Sequence, residues 1–288
     1  TPMGGVIARL AAKKARKNGT KVLYTAHGFH FYKGSPARYW ILYYTMEKLL
    51  ANKADCIITI NDEDYSLAKR KFETKKTAVE KIDGIGVNLE RFSPVSEEEK
   101  ERLKEEKGYG GKFLLIYAAE FNFNKNHKFL IDAASVLCKK YPDIKFLFCG
   151  KGEEFEEDKA YAEEKGVSGY IDFLGFRKDM PDLYKMSDIL SISSRREGLP
   201  LNLIEGMAAG LPAVATKIRG QTDAVTHGEN GFLFDPGDTD AFIEYVGRLH
   251  DDPLLYAEMS KAAVKSVKKF DIENTLLQME KIYRKYGV

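Results

Sequence analysis

With 288 residues, 44% of them hydrophobic and 31% charged, the chain has the length for two ordinary domains or one large one and the apolar content for full cores. Its formal net charge is +2 and its three cysteines, Cys56, Cys138 and Cys149, lie far apart in apolar runs, which excludes a disulfide framework or a zinc finger and reads as buried free thiols of a reducing compartment. No apolar run has the length of a transmembrane helix and no signal-peptide pattern is present.

In chain order, the spacing predicts an amphipathic helix over 4–18, a strand at "KVLYTAH" (21–27), an aromatic helix around 36–52, and strands at "DCIITI" (55–60) and "TAVEKI" (77–82). This front part is basic. Residues 1–46 hold eight Lys or Arg and no acid, and residues 1–81 hold 16 basic against 7 acidic residues. A positive half implies an anionic partner or a solvated lysine-rich face. The charged stretch 93–112 reads as a connector. From there apolar strands at 112–119, 144–152 (running into a glycine turn), 171–175, 189–193, 212–216 and 231–235 alternate with amphipathic helices. Unalternated apolar strands separated by helices mean parallel sheets covered on both faces. The expected architecture is α/β: two Rossmann-like domains with a ligand cleft between them. The expected domains are 1–95, 96–270, and a C-terminal helix over 271–288 that packs back towards the first domain.

"SRREGLPLNLIEGMAAGLPAVATKIRG" (194–220) carries the candidate chemistry. The segment "SRREGL" joins a strand to a helix that has Pro200 in its first turn and Gly210 as its stop. Ligands of parallel sheets bind at such strand-to-helix loops. The backbone N–H groups of Gly198 and Leu199, with the helix dipole behind them, suit a phosphate. Glu197 and Glu205 are misplaced beside a phosphate unless they serve hydroxyl groups elsewhere on the same ligand, as on the two sugars of a nucleotide sugar. Surface glutamates on an ordinary helix are the alternative.

The E-x7-E of "EGLPLNLIE", followed by "GMAAGLPAVAT", resembles the donor site of the family 4 retaining glycosyltransferases. "GVNLERFSP", "CGKGEE", "FLGFRKDMPDLY" and "ENGFLFDPGD" resemble further segments of that family in the same order. The resemblance implies the GT-B fold, with an N-terminal domain that opens part-way through and is therefore expected to be incomplete. It implies transfer of a hexose or N-acetylhexosamine, with retention, from a nucleotide diphosphate sugar. UDP is the base suggested by the bacterial capsule and exopolysaccharide branch resembled, and the acceptor is a saccharide or polyprenyl-linked saccharide. A donor-binding fragment without turnover, or a nucleotide-sugar epimerase of the same fold, remain alternatives. By resemblance His27, Lys125 and Glu197 are catalytic: His27 faces the donor sugar, Lys125 neutralises the departing diphosphate, and Glu197 holds the sugar. Gly198 and Leu199 meet the distal phosphate, Glu205 the ribose, and Phe176 and Arg177 frame the base. His30 is a second candidate for the place of His27. The family's arginine five residues before the lysine is replaced by Glu120, leaving Arg177, Arg195 or Arg196 to compensate. No metal and no other cofactor is expected, since "DED" (62–64) and "DTD" (238–240) read as helix caps. Nucleic acid is not an expected partner. The basic and aromatic front, Arg38 to Tyr44 included, is expected to lie on an anionic membrane surface or to pack as an ordinary helix. The implied location is the cytoplasm or the inner face of the cell membrane.

Overall fold

A computed structural model describes residues 2–287, and they form two compact units. One comprises the chain up to Gly86 together with the segment from Ile272 onward; the other is Val87–Asp271.

The first unit holds three parallel strands in the order β1 (Leu23–Ala26), β2 (Cys56–Thr59), β3 (Ala78–Lys81). Strand β2 is buried throughout, as a central strand with helices on its faces must be. Beside it Phe29, Phe31 and Phe72 form an aromatic core, with Phe29 and Phe31 stacked at 4.8 Å. The expected helix over 4–18 is broken into Pro2–Ala11 and Lys13–Lys17. Arg9 is buried there, its guanidinium donating to both Glu47 oxygens at 2.7 and 3.0 Å while stacking 4.0 Å above the Tyr24 ring. Two buried charges are tolerated because each satisfies the other in a bidentate pair. The aromatic stretch runs helical from Ala37 to Ala51 but passes through a π-turn at Trp40–Tyr44. That turn aims Trp40 and Tyr44 at Phe31 and leaves Ile41 and Leu42 exposed. The last helix, Ile272–Lys285, belongs to this unit. Gln278 exchanges two hydrogen bonds of 2.8 Å with Asp83.

In the second unit six parallel strands follow the order β6 (Ile171–Gly175), β5 (Ile144–Cys149), β4 (Phe113–Ala118), β7 (Ile189–Ile192), β8 (Ala213–Thr216), β9 (Gly231–Phe234). The chain winds outward from β4 to β6, then returns to lay β7 against the other side of β4. The strand order therefore reverses between the neighbours β4 and β7, the point at which sheets of this kind bind ligands at the carboxyl ends of their strands.

The stretch 93–112, read from sequence as a connector, contains the helix Glu97–Glu106, and it is part of the second unit. Lys100 and Lys104 are buried, and their ammonium groups converge on Asp188 at 2.6 and 3.0 Å. Asp188 also accepts from the N–H of Leu114 at 2.7 Å. This cluster ties the helix to the start of β4, and the unit begins at Val87, whose N–H donates to Phe270 O at 2.9 Å.

Candidate functional site

Strands β4 and β7 pair through Leu115–Ile189 and Ile116–Leu190, so the loops that leave their carboxyl ends rise side by side. Those loops are fastened to each other along their length. Tyr117 Oη donates to Lys125 O at 3.1 Å and lies 2.7 Å from Ser194 Oγ. Ser193 Oγ bonds the carbonyls of Lys125 and Asn126 at 3.0 and 2.9 Å. Arg195 N donates to Asn124 O at 2.7 Å, and Asn124 Nδ2 returns a bond to Arg196 O at 2.9 Å. The Arg195 guanidinium donates to Phe123 O and to Asn126 Oδ1, and it stacks 4.4 Å above the Phe123 ring. Asn126 sits at φ 57°, ψ 50°, the left-handed conformation that asparagine tolerates better than most residues.

The clasp brings Lys125 and Glu197 together, with Nζ 2.5 Å from Oε1. Their side chains are 20% and 12% exposed, so the pair is shielded without being sealed. The Glu197 carbonyl accepts from Nε of the buried Arg219 at 2.9 Å. Gly220, at φ +81°, presses against the same turn: a Cβ there would lie 2.4 Å from Gly198 O. Leu199 is buried. Pro200 proves to be the extended N-cap rather than a first-turn residue, and the helix Leu201–Ala208 starts after it with no side-chain cap. In the first turn Asn202 Oδ1 accepts from the N–H of Leu203 at 3.0 Å, and the positive end of the helix dipole faces the loop. Asn202 anchors this helix by donating to Ala118 O at 2.8 Å.

Glu205 lies about one turn along that helix, half-buried. Burial raises its carboxyl above the ordinary value, against the pull of the Arg91 charge and the Tyr184 hydroxyl. The Tyr184 hydroxyl is buried within electrostatic reach of Glu205 but closes no hydrogen bond of normal length. A cavity of about 330 Å³ opens at the ends of β4, β5 and β6, among Ala119, Glu120, Gly150, Phe176 and Met180. Gly150 is required in its floor, since a Cβ would lie 1.8 Å from Ala119 O. Phe176 is 67% exposed at the rim, a free aromatic face for a planar ring. Arg177 is bound to Asp179 at 2.8 and 2.6 Å, and that guanidinium holds the Asp179 carboxyl well below its usual range. A larger cavity of about 550 Å³ is lined by Asn126, Ser194, Arg195, Thr216 and Phe234, and by neither Lys125 nor Glu197.

Seven of the eight sequence-derived site residues thus lie in the second unit. Lys125 and Glu197 touch. Gly198 and Leu199 follow Glu197 on the same turn, Glu205 is on the helix behind it, and Phe176 and Arg177 border the smaller cavity. His27 is exposed at the end of β1, in the first unit. His30 packs its ring on Tyr43 at 4.7 Å. Glu120 accepts from Asn122 Nδ2 at 2.9 Å, and two of the three arginines considered as substitutes for its missing charge, Arg177 and Arg195, are engaged in local bonds. Asp64 and Asp238 serve at helix starts: Asp64 N is capped by Asn61, and Asp238 caps Ala241 N. Sequence reading missed Tyr117, Asn126, Ser193, Asn202 and Arg219. It also missed His127, which stacks on Phe121 at 3.9 Å beside the lysine loop. Burial, aided by the Lys125 charge, pushes its pKa down to about 3, so it stays neutral at physiological pH.

Residues 98–266 match the family described as "Glycosyl transferases group 1", and residues 1–61 match "Glycosyl transferase 4-like". The chain is 46% identical over 287 residues to "Putative glycosyltransferase EpsD" of Bacillus subtilis, covering 99% of this chain and 75% of that protein. It is 28% identical over 285 residues to "UDP-Gal:alpha-D-GlcNAc-diphosphoundecaprenol alpha-1,3-galactosyltransferase" of Escherichia coli, covering 97% of this chain and 72% of that one. Among solved structures, Anabaena Alr3699/HepE in complex with UDP and glucose superposes with a TM-score of 0.85 at 22% identity, over 99% of this chain and 76% of that one.

Proposed function

The chain belongs to the glycosyl transferases group 1 family, and from that premise we propose that it moves a hexose or N-acetylhexosamine from UDP to a saccharide or lipid-linked saccharide during exopolysaccharide or capsule synthesis, with retention and without a metal ion. The observation that carries the reading is the Lys125–Glu197 pair, held at the switch point beside the N-terminus of the helix Leu201–Ala208. In such a transfer the bond between the anomeric carbon and the diphosphate oxygen breaks, and negative charge collects on the leaving oxygens. The acceptor hydroxyl oxygen bonds the anomeric carbon and releases its proton to the leaving phosphate or to solvent. Lys125 and the N–H groups of Gly198 and Leu199 supply preorganised positive charge where the leaving group develops it, the term that usually dominates such catalysis. Glu197 accepts hydroxyl hydrogens from the transferred sugar and Glu205 from the ribose. Phe176 offers a face to the base.

The choice of UDP is supported by the E. coli relative, whose name gives UDP-Gal as donor and a diphosphoundecaprenol-linked sugar as acceptor, and by the fold neighbour solved with UDP. Thermal denaturation with UDP, GDP, ADP and dTDP, each with and without a chelator, tests it. A nucleotide at about 100 times its dissociation constant stabilises by about 2.7 kcal/mol. UDP alone should raise the melting temperature, chelator or not. No shift with any of the four would overturn the reading. Release of free sugar without an acceptor would instead favour an epimerase.

A peripheral place on the anionic inner face of the membrane suits the first unit. Met3, Ile7 and Leu10 are exposed on one helical stripe, next to Lys13, Lys14 and Lys17. No helix among the described residues is long and apolar enough to cross a membrane. Sedimentation with phosphatidylglycerol vesicles but not with phosphatidylcholine vesicles is the expected result.

A further inference from the structure

Lys125 and Glu197 neutralise each other at 2.5 Å, and their main chains have little freedom to part. The carbonyl of Lys125 is held by Tyr117 and Ser193, and that of Glu197 by Arg219. A diphosphate that takes Lys125 as its counter-ion must therefore draw the ammonium away from a carboxylate that stays nearby. What happens to that carboxylate depends on the ligand. A bare nucleoside diphosphate ends in phosphate oxygens, which offer Glu197 no donor and add like charge beside it. With its side chain only 12% exposed, Glu197 regains little from water, and a carboxylate left unpaired there is unfavourable. A sugar on the same phosphate brings hydroxyl donors that replace the lost ammonium with charge-assisted hydrogen bonds.

We propose that the Lys125–Glu197 ion pair makes Glu197 a specificity-determining residue that selects the intact nucleotide sugar over the spent nucleoside diphosphate. This rests on the donor-site reading above and goes beyond it. Glu197 does more than grip the sugar: through Lys125 it weakens the hold on the product. After transfer the sugar hydroxyls are gone, Glu197 recaptures Lys125, and the diphosphate loses its cation. Release is thereby coupled to the completion of transfer, and a pool of free UDP competes less well with donor.

Isothermal titration tests this with UDP and with UDP-glucose and UDP-N-acetylglucosamine as probes, on the wild-type chain, Glu197→Gln, Lys125→Met and the double variant. Glu197→Gln should bind UDP about three- to tenfold more tightly than wild type, the size expected for removing a partly exposed competing ion pair. It should not bind the preferred nucleotide sugar more tightly. Lys125→Met should weaken UDP binding, and in that background Glu197→Gln should bring no comparable gain, because the competition it relieves is already absent. Glu197→Ala should tighten UDP binding in the same direction, which guards against an effect peculiar to the amide. Unchanged or weaker UDP binding in both Glu197 variants would overturn the proposal. So would an equal gain in the Lys125→Met background, since simple repulsion between Glu197 and phosphate would then suffice. In both cases the donor site itself would stand. Failure of the wild-type chain to bind any nucleoside diphosphate would remove the donor-site reading and this inference together.

Discussion

Tyr117 and Lys125 are joined by a hydrogen bond from the tyrosine hydroxyl to the lysine carbonyl, 3.1 Å long, between the core of β4 and the loop that bears the Lys125 ammonium. Burial of Tyr117, with the nearby Glu197 charge, keeps its hydroxyl protonated far beyond the ordinary range. Tyr117→Phe keeps the ring and removes this link and the one to Ser194. It should lower stability by about 1–2 kcal/mol in urea denaturation. The loop would then hold Lys125 less accurately, so kcat should fall roughly ten- to hundredfold. A Tyr117 that served packing alone would leave kcat near wild type once the enzyme is folded.

Gly220 should resist replacement. An alanine there has to adopt φ +81° and place its Cβ 2.4 Å from Gly198 O. The expected result for Gly220→Ala is a loss of about 1–3 kcal/mol in stability. At a temperature where the variant remains folded, UDP binding should weaken more than tenfold, because the turn that moves is the one presenting the Gly198 and Leu199 amides. Titration calorimetry on the folded variant reads this directly.

The cluster around Asp188 makes a stability prediction remote from the chemistry. Two buried ammonium groups and one backbone N–H converge on this carboxylate. Lys100 is held well above its ordinary pKa: burial works against the charge, and Tyr256 and Asp188 outweigh it. Asp188→Ala leaves both lysines without their buried partner and should destabilise by about 3–5 kcal/mol. Changing all three members to apolar residues should be far milder, which chemical denaturation of the single and triple variants would reveal.

Asp158 predicts a pH dependence. Its carboxylate is buried with neither oxygen hydrogen-bonded, and burial, reinforced by the Glu154 charge, raises its pKa from 3.8 to about 6. The folded chain thus keeps a proton that the unfolded chain has already released. Between about pH 4 and pH 6 this residue makes stability fall as pH rises, and above pH 6 the loss is complete. Asp158→Asn should flatten that slope and raise the melting temperature at pH 7.5. A lower melting temperature at pH 7.5 would show that the carboxylate has a partner in solution.

The strands of the second unit could be read from their apolar runs, since a strand covered on both faces needs an unbroken one, and "EGLPLNLIE" announced both glutamates. Lys125 was legible through its motif. The bonds that hold it were not: Tyr117 looks like one more core residue in "FLLIYA", and Ser193 and Asn202 become meaningful only when β7 is laid beside β4, a pairing some 70 residues apart in sequence. Lys100 and Lys104 misled for a related reason. In a run of Glu and Lys they read as solvated, and only the position of Asp188 in space explains why they are buried. Arg219 was passed over because its partner is a backbone carbonyl, which leaves no trace in sequence.

Because the helix Ile272–Lys285 completes the first unit, the second is an insertion within it. The ends of the inserted piece meet: Val87 and Asp271 form a parallel bridge. So do the ends of the host, where a Cβ on Gly86 would lie 2.9 Å from the Ile272 backbone. On the ribosome, then, the first unit cannot close when its own strands emerge. Its sheet must wait, one flank uncovered, while 185 intervening residues are made, and domains emerging from synthesis fold as units. The later-made domain is therefore free to fold before the earlier one is finished, reversing the usual order along a nascent chain.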